Sequence, residues 1–257
     1  MAETSPTLIA VAHGTRDPAG PAAVRELLER VRALRPWLPV AEAYAELAAP
    51  SLEDAVRAVD GPVVAVPLML ARGYHALIDI PGRVERLRSD TTLIPSEPSG
   101  AGGSSSQSGT AVARPLGPHA ALAAALADRL LGAGALRRSD AVVLGAAGSS
   151  DPAGVADVRA AARLLSRRLR RPVSHGFVAA GGPALAEVVA RERGCGASRV
   201  VVASYLLAPG FFHDRMVASG ADVVSAPIGA HDAAARLVLR RYDEARLRMP
   251  APMRVQA

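Results

Sequence analysis

The chain has 257 residues, 50% of them hydrophobic and 21% charged, which is apolar material for one large core or two ordinary ones and excludes disorder as a description of the whole. The longest apolar run, Pro62 to Ala71, is about half of the roughly 20 residues a membrane-spanning helix needs, and Glu3 precedes any Arg ahead of the short stretch Leu8 to Ala12, so neither a span nor a secretory signal is expected. The net charge of +6 comes from 30 basic residues, every one of them Arg, with no basic run interleaved with aromatic rings, so a nucleic-acid partner is not expected and a polyanionic small molecule is.

In chain order, Thr7 to Ala12, Val40 to Ala45 and Val63 to Leu70 read as strands separated by helices near Ala22 to Leu34 and Ser51 to Val59, a βαβαβ pattern that makes residues 1–94 one α/β domain. Residues 95–115 contain the run from Ser99 to Gly109, built of Ser, Gly, Ala and Gln, and read as a linker or surface loop. Residues 116–250 form a second α/β domain. Its expected helices are Ala120 to Leu131, Ala153 to Leu169, Ala184 to Arg193 and Ala230 to Arg246, around strands Ala141 to Gly145, Val173 to Ala179 and Arg199 to Leu206. The strands are apolar on both faces, as in parallel sheets covered by helices.

The halves repeat one another. His13-Gly-Thr-Arg-Asp-Pro18 aligns with Ala147-Gly-Ser-Ser-Asp-Pro152, Pro50 with Pro183, and Val66 through Arg72-Gly-Tyr-His75 with Ala203 through Pro209-Gly-Phe-Phe-His213. The expected fold class is therefore α/β with two similar domains, each a small parallel sheet flanked by helices, related by internal duplication with a ligand cleft between them. A monomer with two pseudo-equivalent halves follows.

His13 follows the first strand, Glu46 ends the second and His75 follows the third, so a parallel sheet brings two imidazoles and a carboxylate to one edge. Such a set binds a divalent first-row metal with positions left open, and its members also accept protons near neutral pH. Cys195, the single cysteine, excludes a Cys-built metal cluster. His119, His175 and His231 lie at helix starts or inside a strand and read as structural. The fragment Gly145 to Ser149 lacks the lysine and glycine spacing of a nucleotide loop.

Several segments together carry a family resemblance: His13-Gly-Thr-Arg-Asp-Pro18, Tyr44-Ala-Glu46 with Pro50, the segment ending Arg72-Gly-Tyr-His75 before Asp79-Ile-Pro81, and Pro115-Leu-Gly-Pro-His119. The chain resembles the sirohydrochlorin chelatases of the class II chelatase superfamily, in their long two-domain form of CbiX and SirB type. The resemblance implies ATP-independent insertion of Fe²⁺, leading to siroheme, or Co²⁺, leading to cobalamin, into sirohydrochlorin. It implies a metal that is substrate and no organic cofactor; a cytoplasmic enzyme is expected from the sequence having neither a span nor a secretory signal. The family's paired histidines fall on His13 and His75, as metal ligands and catalytic groups, and its carboxylate on Glu46. Arg16, Arg72, Tyr74 and His213 are the candidates for holding the tetrapyrrole and its carboxylates.

The second half departs from the pattern, since Ala147 answers His13 and Ala179 answers Glu46, and only His213 remains. One working half with the other shaping the opposite wall is expected. A non-catalytic metal or tetrapyrrole carrier would use the same histidines. A His-dependent phosphoryl-transfer enzyme is disfavoured, because Arg16 follows His13 rather than preceding it.

Overall fold

The computed structural model describes residues 5–73, 79–91, 109–134 and 136–249. The first half runs β1 (Thr7–Ala12), α1 (Ala19–Leu34), β2 (Val40–Tyr44), α2 (Leu52–Arg57), β3 (Val63–Pro67), α3 (Ile80–Thr91) and β4 (Thr110–Val112). The rest runs α4 (Ala120–Gly132), β5 (Asp140–Ala146), α5 (Pro152–Leu169), β6 (Val173–Phe177), α6 (Leu185–Gly194), β7 (Arg199–Tyr205), α7 (Phe211–Val217), β8 (Val223–Val224) and α8 (Asp232–Arg246). The strands build two parallel sheets of matching order, β2-β1-β3-β4 and β6-β5-β7-β8. No described helix is long and apolar enough to cross a membrane.

The expected elements are present, with ends shifted by one to three residues, and four further elements appear. β4 and β8 are edge strands of three and two residues, too short to show a period. α3 carries Pro81 and Gly82 in its first turn, and α7 is only seven residues long. The segment 95–115 is accordingly not a linker throughout. Thr110–Val112 pair with Val63–Ala65, and the residues up to 108 lie outside the described ones.

The alternation of side chains along each central strand explains the layers. Leu8, Ala10 and Ala12 of β1 point into a core shared by both halves, while Ile9 and Val11 point into an outer core with Leu52, Ala55, Ile80 and Val84. The second sheet repeats this, with Val142, Leu144 and Ala146 inward and Val143 outward beside Leu185, Val188 and Met216. The shared core is filled by α1, α4, α5 and α8, through residues such as Leu28, Leu126, Leu165 and Val238, all of them buried.

Two helices are exchanged between the repeats. α4 follows the fourth strand of the first sheet yet packs on α5 and β7, whereas α8, its counterpart after β8, returns to pack on α1, β3 and β4. Ion pairs fix the return: Arg35 forks onto Asp243 at 2.6 and 2.8 Å, and the Tyr242 hydroxyl donates to the carbonyl of Pro6. The last helix of the segment 116–250 thus packs on the first sheet.

Candidate active site

Both sheets end their strands toward a common seam. The Tyr205 hydroxyl, at the end of β7, donates to the Leu70 carbonyl beyond β3 at 2.7 Å. A Cβ on Gly154 in α5 would stand 2.5 Å from the Arg72 carbonyl, so only glycine lets the second half approach the β3 loop this closely. Gly210, before α7, lies against the loop that follows His13, where an added Cβ would stand 3.5 Å from the Asp17 carboxylate.

His13 and Glu46 are brought together by an extension of the β1–β2 ladder. Ala45 N–H donates to the Ala12 carbonyl and Glu46 N–H to the His13 carbonyl, each at 2.9 Å. Gly14 adopts φ +93°, and any Cβ there would collide with the Glu46 carbonyl oxygen, which is why glycine follows the histidine. Both side chains are exposed at the sheet edge. The His13 Nδ1 stands 3.3 Å from the Gly14 carbonyl. Asp17, one residue ahead of the α1 N-cap, accepts from Ala19 N–H at 2.9 Å, and Arg16 is exposed at the turn.

The second half reproduces the ladder bonds of this scaffold. Val178 N–H donates to Ala146, Ala179 N–H to Ala147, and Phe177 N–H to Pro183, as Tyr44 N–H does to Pro50. Gly148 takes positive φ as Gly14 does, and Asp151 caps α5 through Ala153 N–H at 2.8 Å. Ala147 and Ala179 therefore occupy the positions of His13 and Glu46 in space as well as in sequence. One half keeps the loops and lacks the groups.

The other expected residues fall as follows. His75 and Tyr74 lie outside the described residues. Among those that are described, no three His, Cys, Asp or Glu side chains stand close enough to hold a metal. Arg72 donates from Nε and Nη2 to the Asp157 carboxylate at 2.8–3.1 Å, and its side chain is half exposed. His213 lies in α7, half-buried, its Nε2 at 3.1 Å from the Ser225 carbonyl. His119 and His231 cap α4 and α8, each Nδ1 accepting a backbone N–H at 3.1 Å, as their places at helix starts implied. They line a cavity of about 730 Å³ together with Arg30, Arg129, Arg236 and Arg240, apart from the His13 loop.

Three residues escaped the sequence reading. Asp157 is 5% exposed in α5 and looks like any polar helix residue until Arg72 meets it. Phe211 and Phe212 sit in the repeated Gly-Phe-Phe-His segment, 66% and 40% exposed, with ring centroids 5.5 Å apart, and Arg215 stands over the Phe211 ring. Two of the chain's three phenylalanines being exposed side by side is a signal that the count alone offered.

The CbiX family model matches residues 7–133 and 141–245, dividing the chain after α4 as the repeat does. The chain belongs to the CbiX family. Its fold is shared with SirB from Bacillus subtilis determined with Fe³⁺, at 24% identity over 93% of this chain and 95% of that one, TM-score 0.76. It is shared also with the sirohydrochlorin chelatase SirB of Bacillus subtilis subspecies spizizenii in complex with cobalt, at 22% identity over 93% and 94%, TM-score 0.72. CbiX, described as the terminal enzyme for siroheme biosynthesis in denitrifying bacteria, is 19% identical over 93% and 99%, TM-score 0.62. A comparison with curated proteins gives no significant match.

Proposed function

We propose that this CbiX-family protein inserts a divalent metal, Fe²⁺ or Co²⁺, into sirohydrochlorin without ATP, and that the reaction takes place at the strand ends of the first half. The observation that carries this reading is the juxtaposition of His13 and Glu46 through the Glu46 N–H to His13 carbonyl bond, in the half where the duplicated loop retains both groups. Insertion joins the metal to the pyrrole nitrogens and releases two protons. Imidazole and carboxylate suit both halves of that exchange: they hold the metal by exchangeable bonds, and once relieved of it they accept the protons. His13 and His75 are the ligands in this reading, with Glu46 as third donor and proton relay.

The macrocycle has apolar faces and a rim of carboxylates. Arg16, exposed beside His13, is suited to the rim, Tyr74 is a further candidate for holding the tetrapyrrole, and His213 belongs to the wall formed by the second half. Phe211 and Phe212 offer an apolar surface for a face of the ring, one residue beyond the Gly210 contact with Asp17. The protein acts in the cytoplasm as a monomer whose second half supplies that wall.

The test is to add Fe²⁺ or Co²⁺ to protein and sirohydrochlorin and follow the visible spectrum. Catalytic appearance of the metallated product supports the reading. Stoichiometric binding of metal or macrocycle without turnover would make the protein a carrier and overturn it.

A further inference from the structure

We infer that Arg83 is a positioning residue for the insertion reaction, setting the loop that presents Glu46; the inference rests on the first-half site proposed above. Arg83 lies in α3, with its side chain 14% exposed. Its Nη1–H donates to the Ala45 carbonyl at 2.9 Å, the peptide immediately before Glu46. Nε and Nη2 donate to the two oxygens of Glu53 from α2, and Nη1 stands 3.5 Å from the carboxylate of Asp79, four residues after His75 in the sequence.

The Ala45–Glu46 segment is thereby held from two sides. Its N–H groups bond to the Ala12 and His13 carbonyls of β1's edge, while its Ala45 carbonyl bonds to a guanidinium anchored on the outer layer. The next residue, Leu47, has φ +59°, a conformation that a branched side chain rarely adopts and that persists only where the surroundings impose it. A planar guanidinium bridges one carbonyl and two carboxylates at once, which the single point charge of a lysine does not do.

The second half separates this role from general stabilisation. Its loop has the same two ladder bonds, with Val178 in the place of Ala45 and Ala179 in that of Glu46, and closes with a further backbone bond from Ser149 N–H to the Ala180 carbonyl at 3.0 Å. Among the described residues no arginine donates to the Val178 carbonyl there. The fold thus closes this loop without a guanidinium where no reactive carboxylate is presented, and uses one where Glu46 is.

The experiment measures cobalt insertion, cobalt affinity and thermal midpoint for the parent, Arg83→Met, Arg83→Lys, Glu46→Gln and the Arg83→Met/Glu46→Gln pair. Arg83→Met is expected to lower kcat and cobalt affinity ~10-fold or more with KM for sirohydrochlorin within about twofold, the size usual for groups that orient a metal ligand. Arg83→Lys should recover part of that loss. In the Glu46→Gln background the Arg83 change should add little, because both act through one carboxylate. A folded Arg83→Met protein with parental kcat and affinity would overturn the inference, as would losses that multiply independently in the pair. If Arg83→Met does not fold, Glu53→Gln loosens the same guanidinium from its anchor and is read the same way. Parental turnover in Glu46→Gln would overturn the site itself, and the role of Arg83 with it.

Discussion

Arg72, in the loop after β3, forks onto Asp157 of α5 and so ties the strand ends of one half to the first turns of a helix in the other. The Arg72 backbone N–H adds a third kind of bond to the same carboxylate at 2.8 Å, and the paired carboxylate holds the guanidinium pKa above its ordinary value. Asp157 is buried while the guanidinium is half exposed, so water screens part of the pair and its contribution is modest. Arg72→Ala should lower the urea midpoint, because the buried Asp157 carboxylate then keeps only the backbone N–H of residue 72 from this loop. KM for sirohydrochlorin should stay within about threefold. A tenfold rise in KM at unchanged stability would return Arg72 to the substrate.

The exposed phenylalanine pair should act on the macrocycle and not on the metal. Replacing Phe211 and Phe212 together by Ala is expected to raise KM for sirohydrochlorin about tenfold, the loss of two aromatic contacts of ~0.5–1.5 kcal/mol each. Cobalt affinity measured without tetrapyrrole should not change. An unaltered KM would place the ring's apolar face elsewhere.

Stability should fall on the acid side for reasons remote from the site. Burial is the main cause that pushes the His175 and His119 imidazoles below their ordinary pKa, aided by Arg159, Arg191 and Arg163 around the first and by Arg241 and Arg240 near the second, with Glu244 opposing. Because their folded pKa values are depressed, the unfolded chain binds the extra protons. Stability is unaffected by them above about pH 6.5, the unfolded value, and is lost progressively as pH falls from there through their lower folded pKa values. His175 Nε2 is buried without a partner, so a neutral replacement is tolerated there. His175→Leu should show a smaller drop in urea midpoint between pH 7 and pH 5 than the parent. An equal drop would remove His175 as a contributor.

What the sequence showed, and what it hid, divides along physical lines. The pairing of His13 with Ala147 and of Glu46 with Ala179 was legible because the loops obey the same local rules in both halves: a glycine at positive φ, an aspartate and a following proline. The exchange of α4 and α8 was not legible, since each helix carries an apolar face that either sheet could cover, and only packing chooses. The partner of Arg72 was hidden for a related reason, since Asp157 lies 85 residues away and only the fold brings the two together. Arg83 stood one helical turn from Asp79, a spacing that would have flagged the pair, but its bond to the Ala45 carbonyl follows from the tertiary fold alone.

In the proposed function the first half does the chemistry and the second half does not. The most direct measurement is the rate of cobalt insertion into sirohydrochlorin by His13→Ala and by His213→Ala, each compared with the parent at equal folded concentration. His13→Ala should lose ~10²-fold or more, as a ligand and proton acceptor removed together, while His213→Ala, whose ring rests on the Ser225 carbonyl, should retain turnover within about tenfold. Parental turnover in His13→Ala, or a loss in His213→Ala as large as that predicted for His13→Ala, would contradict it.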